Sequence, residues 1–365
     1  RDLVRSRGLG DVYKRQVFAR NNADHRLGVT SQYGQCFGDK VYVVSKQSEG
    51  DGEAAGGVFT IMDAATMKFV SQINRLPDDQ SQPRAFCAWD EHKGYLSTKD
   101  RIYTVDLDNM EVSGVVPGTD VYTSFDSNGE MLRYGDRVYA VRESSGVDAI
   151  DPATDDVVKI PAELAEAFAV TPDGSLYVAT RNESNEFMKI STESLCVTEV
   201  FDIDSGRSKI VSIWNTWLKA PLAADITSNI VYYVTQKASD ESMNGPRTVA
   251  RYNFDTKQFD EEFITLPGVA DGEEADWVLY GEGVSVDPAS GYILLTAVEA
   301  GYGSHYSKNR VFVADPVTGK ILVGRTHVLE DAYWFPAMAL YPDFEAPAID
   351  ANGLSLPEDG GSFTL

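Results

Sequence analysis

Short runs rich in β-branched and aromatic residues recur along the chain at intervals of roughly 40 to 60 residues, the spacing of a repeat architecture. One set reads Val41-Tyr-Val-Val, Gly94-Tyr-Leu-Ser, Val138-Tyr-Ala-Val, Leu176-Tyr-Val-Ala, Val231-Tyr-Tyr-Val and Tyr292-Ile-Leu-Leu. Each has the composition of a strand. A second, alternating set follows: Val58-Phe-Thr-Ile-Met, Ile102-Tyr-Thr-Val, Val147-Asp-Ala-Ile, Phe187-Met-Lys-Ile, Val249-Ala-Arg-Tyr and Val311-Phe-Val-Ala. These end in turns of common form, Asp63-Ala-Ala-Thr66, Asp106-Leu-Asp-Asn109, Asp151-Pro-Ala-Thr154, Ser191-Thr-Glu-Ser194, Asn253-Phe-Asp-Thr256 and Asp315-Pro-Val-Thr318. The first side chain of such a turn can accept from a backbone N–H two residues on, and Pro at the next position presets φ for a type I turn.

A third element precedes each first run and closes in its own hairpin: Ala88-Trp-Asp-Glu-His-Lys-Gly94, Arg133-Tyr-Gly-Asp136, Val170-Thr-Pro-Asp-Gly174, Ala224-Asp-Ile-Thr-Ser-Asn229 and Val284-Ser-Val-Asp-Pro-Ala-Ser-Gly291. Two further copies are Tyr33-Gly-Gln-Cys-Phe-Gly-Asp39 and Pro336-Ala-Met-Ala-Leu-Tyr-Pro-Asp343. Lettering the strands A to D from the axis outward gives seven A elements and six complete B-C-D sets. The expected fold is therefore all-β, a seven-bladed β-propeller whose closing blade is incomplete at the N-terminus. Its A strand at 336–343 would pair with strands from the N-terminal region, of which Gln16-Val-Phe-Ala-Arg20 remains. The rival count is six blades with a spare C-terminal strand.

The two ends read differently from the propeller, which spans 17–343. Residues 1–16, basic within an acidic protein and without alternation, resemble a translated sequencing-adaptor stretch and are set aside as non-native. Residues 344–365, rich in Pro and Gly, read as a linker and the start of a truncated C-terminal β module.

Composition narrows the function. With 365 residues, 43% hydrophobic and 24% charged, the chain has ample material for a core. A formal charge of −24, from 56 acids against 32 bases, repels a phosphate backbone, which disfavours nucleic acid and anionic membranes as partners. Cys36, Cys87 and Cys196 show no CxxC spacing and no nearby histidine, so buried thiols are expected in place of a zinc site or disulfide framework. No run approaches the roughly 18 apolar residues of a membrane helix. A signal peptide is either absent or already missing before Arg1. No GxSxG, HExxH, P-loop or helix-opening GxGxxG occurs, and no calcium-loop motif, so neither an enzyme nor a bound metal or cofactor is expected.

In propeller geometry the D-to-A and B-to-C connections emerge together around the mouth of the central channel, the face that holds ligands. The D-to-A set holds Gln32, Tyr33, Gln82, Arg84, Tyr122, Trp214, Asn215, Trp217, Trp277, Tyr280, Tyr333, Trp334 and Phe335. The B-to-C set holds Lys46, Gln47, Lys99, Asp100, Arg142, Glu143, Arg181, Asn182, Gln236, Lys237, Tyr302, His305 and Tyr306. Four of the five tryptophans fall in the D-to-A set, and aromatics beside amides suit a large, flat ligand. The candidate ligand-binding residues are Tyr33, Lys46, Gln47, Arg84, Trp214, Asn215, Trp217, Trp277, Tyr280, Tyr302, His305, Tyr306, Tyr333 and Trp334. The competing reading is that these aromatics pack between blades. Trp89 lies elsewhere.

Leu27-Gly-Val-Thr-Ser-Gln-Tyr-Gly, Tyr42-Val-Val-Ser-Lys-Gln47 and Tyr333-Trp-Phe-Pro-Ala-Met-Ala-Leu-Tyr-Pro-Asp343 resemble the surface-layer-type propeller proteins of Bacteroidota. That family carries a domain of unknown function, and its blades are similar to YVTN-repeat propellers; the resemblance covers residues 17 to 343. Some members are outer-membrane surface lipoproteins that capture cobalamin and pass it to a TonB-dependent transporter. The resemblance implies binding roles for Tyr33, Lys46, Gln47, Trp334 and Phe335, while Trp214 and Trp217 depart from the family pattern. The expected function is capture of a corrinoid or other bulky nutrient on the extracellular face of the outer membrane. Two alternatives stand beside it: a protein-interaction or adhesion scaffold, and a lyase-type enzyme with His305 as base, Glu299 as acid and Tyr306 as proton donor.

Overall fold

The computed structural model describes residues 30–46, 57–66, 68–73, 83–98, 101–119, 130–142, 146–180, 186–203, 209–210, 218–236, 245–300 and 309–326. They form six antiparallel sheets in chain order, each running A to D. Blade 1 is Thr30–Phe37, Lys40–Lys46, Gly57–Asp63 and Phe69–Ile73; blade 2 is Pro83–Ala88, Lys93–Thr98, Ile102–Asp106 and Glu111–Val115. Blade 3 is Met131–Tyr134, Arg137–Arg142, Gly146–Ile150 and Val157–Ile160; blade 4 is Ala165–Val170, Leu176–Thr180, Glu186–Ser191 and Cys196–Asp202. In blade 5 the inner strand is split into Lys209–Ile210 and Leu222–Ala224, beside Ile230–Gln236, Thr248–Asn253 and Gln258–Thr265. Blade 6 is Trp277–Val286, Ile293–Glu299, Asn309–Ala314 and Ile321–Thr326, and the segment Leu218–Ala220 joins its inner edge in parallel. The only helical element among the described residues is one 3-10 turn, Val269–Asp271.

The all-β propeller expected from the repeats is observed, but with six blades where seven were anticipated. The strands of the expected closing blade, 16–20 and 336–343, lie outside the described residues, as do the segments 1–16 and 344–365.

The six C-to-D turns form as their sequences dictate. Asp63, Asp106, Asp151, Ser191, Asn253 and Asp315 each accept from a backbone N–H two or three residues on, at 2.7 to 3.1 Å. Such bonds stabilise the charged form: the Thr66 hydroxyl and N–H hold the Asp63 carboxyl below the usual carboxylate range, and the backbone N–H groups of Asn109 and Thr318 do the same for Asp106 and Asp315. In five of the turns the fifth residue is left-handed: Met110, Asp155, Leu195, Lys257 and Gly319. That conformation lets the D strand return in register, at a cost of roughly 1–2 kcal/mol wherever the residue is not Gly.

Each pair of consecutive blades encloses its own apolar core. Tyr42, Phe59 and Phe86 fill the space between blades 1 and 2, Tyr95, Ile102 and Val138 that between 2 and 3, and Tyr139, Val147 and Phe168 that between 3 and 4. Phe187, Tyr233 and Phe254 lie between 4 and 5, and Tyr232, Trp277 and Phe312 between 5 and 6. The tyrosine of the first repeated run is the recurrent bridge. The Tyr95 hydroxyl donates to Asp155 (2.5 Å) in the C-to-D turn of blade 3, and that of Tyr232 reaches the Pro316 carbonyl (3.2 Å) in blade 6. Tyr177 instead stacks flat on Phe254 of blade 5 at 3.7 Å. A residue that reads as a strand former thus also sets the angle between blades.

Candidate functional site

One irregularity recurs on the face where the D-to-A connections arrive. Counting along each B strand from the residue beside the C-to-D turn, Ser45, Thr98, Arg142, Thr180, Thr235 and Ala297 are equivalent. Beside that position the inner strand breaks register. Gln32 is the extra residue in blade 1, Arg84 in blade 2 and Glu166 in blade 4. In blade 6 four residues, Tyr280 to Gly283, face the single Thr296. In blade 5 the register breaks at the same step: Ile210 pairs with Thr235, the Pro221 carbonyl accepts from Val234 N–H (2.8 Å), and Leu222 pairs with Tyr233. Blade 3 is described at this step only from Glu130, whose carbonyl accepts from Val141 N–H at 3.1 Å. A bulge bends the strand and re-aims its side chain, so a bulge repeated at one register step places a ring of chosen residues around one mouth of the channel.

The residues so placed are polar. Arg84 is half-buried and Glu166 is 1% exposed. Around them blade-to-blade contacts are made by buried polar groups. Arg142 donates from Nη2 to the Thr119 carbonyl (2.7 Å), with its Nε 3.8 Å from Asp148, whose other oxygen accepts from Lys159 (3.0 Å). Glu130 accepts from Phe168 N–H across to blade 4 (2.9 Å). In blade 6, Thr296 holds both ends of the wide bulge, donating to the Tyr280 carbonyl (2.5 Å) and accepting from Gly283 N–H (2.8 Å). Gly281 and Gly283 have φ of 73° and 84°, which other residues rarely adopt, and they face Leu218 and Ala220 in the parallel pairing.

Several residues chosen from the sequence meet at this step and others do not. Tyr33 directly follows the Gln32 bulge and packs half-buried against the cores on either side of blade 2. Arg84 is itself the bulged residue. Tyr280 begins the wide bulge but is buried, and Trp277 is fully buried, so both belong to the wall between blades and not to its surface. Lys46 ends its strand opposite Gly57. Gln47, Trp214, Asn215, Trp217, Tyr302, His305, Tyr306, Tyr333, Trp334 and Phe335 lie outside the described residues. Glu166 and Glu130 were missed, although the runs Pro83-Arg-Ala-Phe86 and Ala165-Glu-Ala-Phe168 share a polar residue at one place.

Other features bear on chemistry. His92, the one described histidine, sits on the opposite face, where its bond to Asp108 (3.0 Å) raises its pKa. Cys87 is buried, and burial pushes its thiol and that of half-buried Cys36 up to about 12, far from a reactive thiolate. Cys196, expected to be buried, is exposed on the outer strand of blade 4. Among the described residues no group of His, Cys, Asp and Glu is arranged to hold a metal ion, and no helix is long and apolar enough to cross a membrane.

The fold and the repeated bulge define a β-propeller with one specialised face. The chain belongs to the family described as Domain of unknown function (DUF5074), whose model matches residues 9–342. No curated protein matches the sequence. Among solved structures it is similar to the extracellular domain of a hybrid two component system, BT4673, from B. thetaiotaomicron, with a TM-score of 0.52 and 13% identity over 81% of this chain. The match covers 33% of that longer chain. A fainter likeness is to U3-55K, with a TM-score of 0.45 and 7% identity over 71% of this chain and 70% of the other.

Proposed function

We propose that this protein is a non-enzymatic, extracellular ligand-binding propeller whose binding face is the bulged one. The observation that carries the reading is the interruption of the inner strand at one register step in every blade described there, with half-buried Arg84 placed by it. Strand regularity costs nothing to keep, so its repeated loss at one mouth points to selection for what the bulges present. In the finer form of the proposal the ligand is a corrinoid or another bulky nutrient, handed to a TonB-dependent transporter at the outer membrane. That form draws on the family resemblance and on the tryptophans of the D-to-A connections. The rim is a weaker docking surface, because Val70, Val115, Val158, Val200 and Leu322 are exposed singly on separate outer strands.

Calorimetric titration with cobalamin, haem and oligosaccharides tests the proposal. Saturable binding of one of them is expected, with Arg84→Ala weakening it by about tenfold or more, as for a central interface arginine. No binding to any of the three, or binding indifferent to Arg84→Ala, would count against it.

A further inference from the structure

We propose that the opposite mouth of the channel, where the A-to-B turns converge, carries a second site, for a small organic monoanion, built by Arg133, Trp89 and Phe37. The repeats themselves single out Arg133. At the register step that faces Val41 of the B strand in blade 1, the inner strand carries Cys36, Ala88, Val170, Ala224 and Val286 in five blades, all apolar, and Arg133 in blade 3. The next inner-strand position, facing Lys40 in blade 1, holds Phe37, Trp89 and Tyr134 in blades 1 to 3 and Thr171, Asp225 and Asp287 in blades 4 to 6. The one charged residue of the first set touches two aromatics of the second, in the two preceding blades. The Arg133 guanidinium lies 4.6 Å from the Trp89 ring centroid and 5.3 Å from that of Phe37 in blade 1. Sites that break a local rule obeyed by their siblings are where function is found.

The chemistry of the cluster selects the ligand. Arg133 is exposed, and its guanidinium makes no hydrogen bond or ion pair among the described residues. Nearby acids are engaged elsewhere: Asp90 accepts from His92 and Lys93 N–H within its own turn, and Asp39 pairs with Lys40 at 2.7 Å. Stacking on an aromatic face fixes the guanidinium plane and leaves its N–H edge to fork onto a carboxylate. Trp89 and Phe37 are half-buried, so their rings offer apolar surface to the body of the same ligand. Asp39, Asp90, Glu91 and Asp136 in the adjoining turns repel anions in proportion to ligand charge, so a monoanion with an apolar body is favoured over a phosphate dianion.

Titration of the full chain with sodium benzoate at low salt, followed by calorimetry, tests the assignment. Saturable binding is expected, weakened by about tenfold or more in Arg133→Met through loss of the charge-assisted pair. Inorganic phosphate should bind at least about tenfold more weakly than benzoate. Arg133→Lys keeps the charge and loses the fork, so it should fall between the two and serves if Arg133→Met does not fold. No saturable benzoate binding, equal affinity for phosphate, or binding unchanged by both variants would overturn the proposal; a lowered melting temperature with no ligand bound would mark the cluster as an interblade staple alone.

Discussion

Replacing Trp277 by Ala is expected to destabilise the propeller by about 4 kcal/mol, the cost of emptying a large aromatic site in a packed core. Trp277 is fully buried between blades 5 and 6, edge-on to Phe312 at 6.2 Å and covered by the Arg310 guanidinium at 4.5 Å. Arg310 is itself held by Glu273 and Glu274, so the cavity cannot close by a simple shift of that side chain. The indole Nε1 has no hydrogen-bond partner among the described residues, which means that Trp277→Phe forfeits volume but no bond and should cost well under half as much. Thermal unfolding followed by circular dichroism checks this, with a fall of roughly 6 °C expected for the Ala variant. An unchanged melting temperature would return Trp277 to the ligand-binding set from which its burial removes it.

The second large effect is predicted at Gly319. Gly319→Ala should cost about 3 kcal/mol, from a left-handed backbone and from steric overlap together. Its φ is 70°, and a Cβ there would fall well inside contact distance of the Phe263 carbonyl oxygen in blade 5. Met110, Asp155, Leu195 and Lys257 hold the equivalent turn position with φ between 51° and 62°, so the turn as such tolerates a side chain. The converse substitution, Lys257→Gly, should accordingly be neutral or slightly stabilising. Urea unfolding of the two variants side by side separates the steric cost from the conformational one; equal effects would show that contact with blade 5 contributes nothing.

The repeat was legible in the sequence because the C-to-D turns have a local cause. An Asp, Asn or Ser that bonds forward to the backbone needs no tertiary partner, so Asp106 and Asp315 announce the same hairpin wherever they stand. The blade cores were legible for a similar reason, since Tyr95 and Tyr232 recur at one place in the repeated run. The bulges were not. A bulge is a mismatch between two strands, and neither Arg84 nor Glu166 reveals from its own segment that Pro83 will pair with Thr98 and Ala85 with Ser97. Choosing residues by connection brought in Tyr33, Arg84 and Tyr280 at the bulge step but also Trp277, because an aromatic near a strand terminus reads the same whether it faces the channel or the neighbouring blade. Arg133 stands out only against its register equivalents in the other blades, Cys36, Ala88, Val170, Ala224 and Val286.

The central claim is that ligand binds where the inner strands break register. Amide hydrogen exchange on the chain with and without saturating cobalamin, read by mass spectrometry, tests it most directly. Added protection is expected in the peptides around residues 30–33, 83–85, 165–167 and 279–284, with the C-to-D turns unchanged. Binding that protected the C-to-D turns or the outer strands, and left those four peptides as they were, would contradict it.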